Sequence, residues 1–261
     1  MQDGVKHKVI VSLTSFPGAR EYASGAVKSI LKGSVLPDLV VLYVSFSQFE
    51  GKPLPSELLE LERENPMFEI RGYEPDIRSY RKLIPAIADF PDDIIVTIDD
   101  DVAYHRNLLK KLLEVHTMFP EDIIAHRAKM IAQDRPYKKW RKYRWYHFLS
   151  HHYHRTFLTM QTGVGGVLYP PRSLRKDMLD RQLFTKTAPT TDDIWFWAAA
   201  VANGRRVIPV PFGYNKPKSL GKPGDFSLKR FNFKGGTDRN KANFDAILRE
   251  YPEVKKALKN E

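Results

Sequence analysis

Between residues 8 and 100 the sequence alternates short β-branched apolar runs with stretches of helical spacing, which leaves few architectures open. The runs "KVIVSLTSF" (8–16), "LVVLYVS" (39–45), "FEIRGY" (68–73) and "DIIVTIDD" (93–100) read as strands. Between the first two, apolar residues recur at Ala23, Ala26, Val27, Ile30 and Leu31, predicting a helix over 19–34. Residues 55–66 predict a second helix with Ser56 as its N-cap, and 79–90 a third that Pro85 interrupts. "RNLLKKLLEVHTMF" (106–119) predicts an amphipathic fourth helix. Strands that alternate with helices form a mostly parallel sheet covered by helices on both faces, an α/β three-layer sandwich. Ligands of such sheets bind outside the carboxyl ends of the strands. Neither G-x-G-x-x-G nor a P-loop occurs in the sequence. A bound nucleotide would therefore be held some other way.

The second half is less regular. "MQTGVGGVLYPP" (160–171) reads as a glycine-rich turn entering a short strand. "TTDDIWFWAAAVANG" (190–204) reads as a helix with a polar start, in which Trp195 and Trp197 are core residues rather than a sugar-stacking pair. "RRVIPVPF" (205–212) reads as a late strand, 215–243 as a loop and 241–260 as a closing helix. With 261 residues, 42% of them hydrophobic, the chain suffices for one large α/β domain or two small ones. A single domain is expected, with a nucleotide-binding half (1–105) and an acceptor-binding half (106–261). No cysteine is present, which excludes disulfides and thiolate zinc sites. The N-terminal apolar stretch is too short for a signal peptide, and no run reaches the roughly 18 apolar residues of a membrane span. A soluble, cytoplasmic protein is the expectation.

Chemistry concentrates where the fourth strand ends, in "IIVTIDDDVAY" (94–104). Three adjacent carboxylates repel one another, and without a counter-cation at least one tends to stay protonated. In an extended chain Asp99 and Asp101 share a face, roughly 7 Å apart. Two carboxylates so placed suit one hard cation, Mg²⁺ or Mn²⁺, whose remaining ligands are phosphate and water. The alternative is a solvated acidic turn before the helix at 106. The net charge of +11 adds a general appetite for anions such as phosphorylated small molecules, anionic lipid or nucleic acid.

A strand ending in "TSF", then a strand, Asp-x-Asp and a helix, resembles the GT-A nucleotide-sugar glycosyltransferases, and most of all the family-2-like enzymes of bacterial surface polysaccharide synthesis. "RSYRKLIPAI" (78–87), "TGVGGVLYPP" (162–171), "APTTDDIWFW" (188–197) and "FNFKGGTDRNK" (231–241) extend the resemblance over residues 8 to about 241. It implies a GT-A fold and transfer of a sugar from a nucleoside-diphosphate donor, UDP-linked by expectation, to a hydroxyl of a lipopolysaccharide or capsule glycan. Thr14, Phe16 and Arg20 would face the nucleoside, and Asp76 and Lys82 the base or the diphosphate. Asp99 and Asp101, with Asp100 between them, would hold Mn²⁺ or Mg²⁺ on the diphosphate. Gly163, Gly165 and Gly166 would let backbone approach the donor sugar. Asp193 would be the general base and Asp192 its runner-up, which implies inversion by a single displacement. As bare residues, Asp192 and Asp193 also read as helix-capping acids, with a helix dipole that lowers the pKa of Asp193.

The sequence departs from the family in having no histidine beyond His154 to complete a metal site. A third metal ligand from the tail would have to be Asp or Asn, or be replaced by water; alternatively Lys216, Lys234 or Arg239 would hold the diphosphate directly. A basic aromatic segment, "RPYKKWRKYRWYHFLSHHYHR" (135–155), holds seven Lys/Arg, four His, seven aromatics and no acid. It suits a glycan acceptor, lipid-linked at an anionic inner-membrane surface, or single-stranded nucleic acid. His147, His151 and His154 share a helical face without a carboxylate among them. No nucleic-acid partner is expected under the glycosyltransferase reading. The competing classes are a basic nucleic-acid-binding protein or metal nuclease, and a haloacid-dehalogenase-type phosphotransferase. The latter wants Thr or Val where Ala103 stands.

Overall fold

The computed structural model describes residues 7–143, 156–210, 217–221 and 231–261. Its centre is a seven-stranded sheet among those residues. The N-terminal part supplies β1 (Val9–Thr14), β2 (Leu39–Val44), β3 (Phe68–Gly72) and β4 (Ile94–Thr97). Later residues supply β6 (Ile123–Ala125), β10 (Val167–Tyr169) and β11 (Val207–Pro209). The spatial order is β11-β6-β10-β4-β1-β2-β3. All neighbours are parallel except β10, which runs antiparallel to both β4 and β6. Strands from before and after residue 105 thus share one sheet.

Two-sided burial explains why these strands read as unbroken apolar runs. Ile10, Val41, Tyr43 and Ile95 point into one core, together with α6 (Asp192–Ala202), α7 (Arg239–Glu250) and α8 (Pro252–Lys259). Their neighbours Val11, Val40, Leu42 and Val96 point into the other. There they meet α1 (Arg20–Leu31), α2 (Ser56–Glu64) and α4 (Leu108–Met118). Two further short helices, α3 (Ile84–Asp89) and α5 (Arg181–Thr187), complete the described set. The three-layer α/β sandwich read from the strand–helix alternation is the observed architecture.

Local details differ from the sequence expectation. Pro55, not Ser56, occupies the cap position of α2, and no side chain caps that end. Pro85 does not break a helix. It sits in the first turn of α3, where its missing N–H costs nothing, and a 3-10 turn over Arg78–Lys82 precedes it. The loop read over 215–243 contains β12 (Lys218–Ser219), which pairs antiparallel with β5 (Val102–Ala103). The next residue, Leu220, donates its N–H to the Asp101 carbonyl at 2.9 Å. A C-terminal segment is thereby pinned against the acidic corner.

α6 is apolar all round because it is buried all round. Trp195 and Trp197 are fully buried, and each indole N–H finds a carbonyl, Met178 at 2.7 Å and Phe157 at 3.1 Å. Beyond the sheet edge, β7 (Ala128–Met130), β8 (Arg141–Lys142) and β9 (Thr159–Gln161) form a small antiparallel sheet in the order β8-β7-β9. Trp140, from the basic aromatic segment, is buried and meets Phe244 edge-on at 5.0 Å, so part of that segment is core. Residues 144–155, including His147, His151 and His154, lie outside the described residues.

Candidate active site

The site forms where β1 and β4 end and where the N-terminus of α6 meets the glycine turn between β9 and β10. Its centre is Lys82, at the end of the 3-10 turn and 6% exposed. The Lys82 ammonium lies 3.0 Å from Asp99 and 3.0 Å from Asp192. Its backbone carbonyl accepts from Ser12 Oγ on β1 at 2.6 Å. Lys82 is therefore no surface lysine; it ties the end of β4 to the start of α6. Burial opposes its charge, but Asp192, Asp99 and Asp193 outweigh it and raise its pKa well above the ordinary value.

Asp193 stands beside this pair. Both of its carboxylate oxygens accept from the Gly163 N–H, at 3.1 and 3.0 Å. Its carbonyl accepts from Gln161 Nε2 at 3.0 Å. Thr191, at the cap position of α6, makes no side-chain cap bond, so Asp193 is held by the glycine turn and not by its own helix. The helix dipole should lower its pKa. Burial, reinforced by Asp192, overrides the dipole and the nearby Lys82, and pushes Asp193 up to about 7. A carboxylate with a pKa near neutrality is a better proton acceptor than an ordinary aspartate.

Gly163 is required for a close approach. A Cβ there would stand 2.7 Å from Lys82 Nζ and 3.0 Å from Asp193 Oδ1. Gly165 and Gly166 are constrained by the chain itself: a Cβ on Gly165 would meet Arg127 Cβ at 2.6 Å, and Gly166 has φ +85° against Leu108.

In the acid triplet Asp99 is paired with Lys82, while burial opposes the charge of the other two acids. Burial, then Asp101 and Asp99, pushes Asp100 up to about 7. One of its oxygens, Oδ2, is buried without a hydrogen-bond partner. Asp101 is solvent-exposed as a residue, yet desolvation of its carboxylate and the charge of Asp99 raise its pKa as well. Asp99 is positioned through its backbone N–H, which donates to the Tyr104 hydroxyl at 2.9 Å; that hydroxyl donates to the Val164 carbonyl at 3.4 Å. Among the described residues, no group of three or more His, Asp or Glu side chains could hold a metal ion. Among the described residues, Asp99 and Asp101 offer hard carboxylate oxygens. That donor set, beside an orphaned buried carboxylate oxygen, fits a Mg²⁺ or Mn²⁺ ion whose other ligands are phosphate and water.

The remaining sequence-predicted residues spread around this centre. Thr14 Oγ1 is engaged inside the protein, donating to the Tyr43 carbonyl at 2.8 Å and accepting from Arg81 Nε at 2.8 Å. Phe16 is 36% exposed at the end of β1, and Arg20 opens α1. Asp76 accepts from Gln48 Nε2 and from the Arg78 N–H, and pairs with Arg81 at 3.3 Å. Arg239 lies over the Phe231 ring, 4.2 Å from its centroid, and donates to the Phe231 carbonyl. Lys216 and the Lys234 side chain lie outside the described residues.

Sequence reasoning passed over three residues. Arg81, 1% exposed, braces Thr14, the Ser15 carbonyl, Gln48 and Asp76 together. Ser79 Oγ donates to Asp192 at 2.9 Å, and Tyr104 props Asp99. Arg81 and Ser79 fall in the "RSYRKLIPAI" stretch, but a 3-10 turn gives no periodicity from which their directions could be read.

Taken together, a doubly covered sheet and an acidic strand end that faces a carboxylate at a helix start make up a GT-A-like fold. No protein-family model matches the chain, and no curated protein matches it. Among solved structures, a mannosyltransferase, PcManGT from Pyrobaculum calidifontis in complex with GDP-Man and Mn²⁺, is similar at a TM-score of 0.55. The two share 13% sequence identity over 98% of this chain and 75% of that one. At that identity the likeness establishes the fold. Among the described residues, no helix is long and apolar enough to cross a membrane.

Proposed function

We propose that the protein is a metal-assisted glycosyltransferase that moves a sugar from a nucleoside-diphosphate donor to a hydroxyl of a glycan. The observation that carries this reading is the convergence of Asp99, Lys82, Asp192 and Asp193 at the carboxyl end of β4, beside Asp101. The similar mannosyltransferase structure contains GDP-Man and Mn²⁺, which supports a nucleotide-sugar donor and a divalent ion. UDP remains the donor nucleotide expected from sequence, with GDP as the second candidate. A surface polysaccharide, lipopolysaccharide or capsule, is the proposed destination, and the described part of the basic aromatic segment supports an acceptor at a membrane surface.

Asp99 and Asp101 would hold the ion, which when bound neutralises the negative charge that develops on the departing nucleoside diphosphate. Phe16 and Arg20, which follow β1, would face the nucleoside. Asp193 takes the proton from the acceptor hydroxyl as that oxygen attacks the anomeric carbon, and the nucleoside diphosphate leaves with the bonding pair. Such a single displacement inverts the anomeric centre. Lys82 ties Asp99 to Asp192, and Gly163 aims Asp193.

The test is a donor-hydrolysis screen. Incubated with Mn²⁺ and a panel of nucleotide sugars, the protein is expected to release nucleoside diphosphate from one donor class, UDP- or GDP-linked, well above the buffer rate. Release from none of them, with oligonucleotides cleaved or bound instead, refutes the reading and favours the nuclease alternative.

A further inference from the structure

β4 ends at Thr97, so Asp99 and Asp101 stand beyond the central sheet and need other supports. Asp99 has two, its ion pair with Lys82 and the Tyr104 hydroxyl that accepts from its N–H. Asp101 closes a turn, and its backbone is held by a residue from the far end of the chain. The Leu220 N–H donates to the Asp101 carbonyl at 2.9 Å. Pairing continues from there, with Ser219 opposite Val102 and Lys218 opposite Ala103. The seat for this support is built into α1. A Cβ on Gly25 would stand 3.0 Å from Leu220 Cδ1 and 3.3 Å from Cδ2. Glycine weakens the interior of a helix, and here it opens the space that the leucine fills. Leu220 thereby packs against the α1 side of the core. One residue on, a Cβ on Gly221 would meet Tyr22 Cζ at 2.3 Å, so the chain lies directly on α1.

α1 grips the other strand of the pair as well. Ser29 Oγ accepts from the N–H of Tyr104, the residue after β5, at 2.9 Å. The acidic turn is thus tied to α1 from both sides, through Tyr104 and through Leu220. A ribbon of two short strands is marginal by itself, and β12 and β5 are two residues each. What keeps β12 in place is the seating of Leu220 on Gly25. Successive carboxylates repel one another and work to open the turn that carries them. Residues that ligate an ion must be held to within about 0.5 Å. Loss of the seat would loosen Asp101 while leaving its carboxylate chemically intact.

We propose that Leu220, seated on Gly25, is a positioning residue for the divalent ion: it fixes Asp101, so that the metal corner is built jointly by the end of β4 and the late strand β12. This rests on the glycosyltransferase reading for the ion and its nucleotide.

The test reads the Mn²⁺ concentration at which nucleotide binding is half-maximal, from calorimetric titrations of UDP and of GDP into the intact protein at a series of Mn²⁺ concentrations. Three variants are compared with wild type. Leu220→Pro deletes the N–H that Asp101 accepts. Gly25→Leu fills the seat while giving α1 a better helix former. Leu220→Met keeps both the N–H and an apolar stem. Urea melts of each fix conditions under which the proteins compared are folded. Leu220→Pro and Gly25→Leu should raise the Mn²⁺ midpoint by about tenfold or more, the loss typical of residues that support a metal ligand. Leu220→Met should bring it back close to wild type. Should Leu220→Pro fail to fold, Gly25→Leu carries the test. A role confined to folding would shift the urea midpoints and leave the Mn²⁺ midpoint where it is in wild type, and that result overturns the proposal. Wild-type nucleotide binding that ignores Mn²⁺ overturns the metal reading and the proposal together. Wild-type binding that depends on Mn²⁺, with the folded variants sharing its midpoint, overturns the proposal alone.

Discussion

Asp193→Asn should lower sugar transfer by about 10³-fold, within the range that a positioned general base supplies, while leaving the protein no less stable at pH 8. The two effects have one cause. Burial and Asp192 hold the Asp193 pKa up at about 7, so its ionised form, which the proposed proton transfer requires, is the form the fold resists. The wild-type rate should therefore climb with pH through about 7 and level off above it. Stability should respond with the opposite sign. A carboxyl whose folded pKa is raised favours the fold while protonated, so this contribution is lost as pH rises from about 4, the unfolded value, through about 7. Asparagine stays neutral throughout and can still accept the Gly163 N–H. Its rate should be low and flat across that window, and its stability should lack the fall. Transfer rates and denaturant melts between pH 5 and 9 check both halves; an Asp193→Asn protein that transfers sugar at the wild-type rate removes Asp193 from the reaction.

Lys82→Met should be the most destructive single change at the site. Methionine keeps the length and apolar stem of lysine but leaves Asp99 and Asp192 facing each other across a buried corner without a cation. Removing one partner of a buried ion pair costs ~3–5 kcal/mol, far more than an exposed pair contributes. Lys82 and Asp192 side chains are only 8% and 9% exposed, so the larger figure applies to them. Urea melts of the variant and the wild type at neutral pH measure this directly. Transfer activity should fall with it, because Asp99 and the start of α6 lose their common tether. A loss of about 1 kcal/mol or less, the size of an exposed pair, would mean that solvent already screens the corner.

Much of the fold was legible because the strands of a doubly covered sheet must be apolar on both faces. Val11 and Val41 point to opposite sides, yet both had to be hydrophobic, and the runs containing them stand out. β12 did not stand out: it is two residues long, and only its pairing with β5 makes it a strand. The site was legible in part. Asp99 and Asp101 end a readable strand, and Asp193 begins a readable helix. That Lys82 joins Asp99 to Asp192 is a contact between residues 110 positions apart in the case of Asp192, and no local pattern encodes it. The same holds for Arg81, whose buried guanidinium satisfies groups on three separate segments. The pKa of Asp193 shows the limit most plainly: helix position predicts a lowered value, and only the depth of the site reverses it.

The claim on which the rest depends is that the acidic corner receives a divalent ion together with a nucleoside diphosphate. Calorimetric titration of UDP and of GDP into the protein, each with and without Mn²⁺, tests it most directly. One of the two nucleotides should bind in the presence of Mn²⁺ and weakly or not at all without it, and Asp101→Ala should abolish the Mn²⁺-dependent binding. Binding that ignores Mn²⁺, or that survives unchanged in Asp101→Ala, would contradict the account.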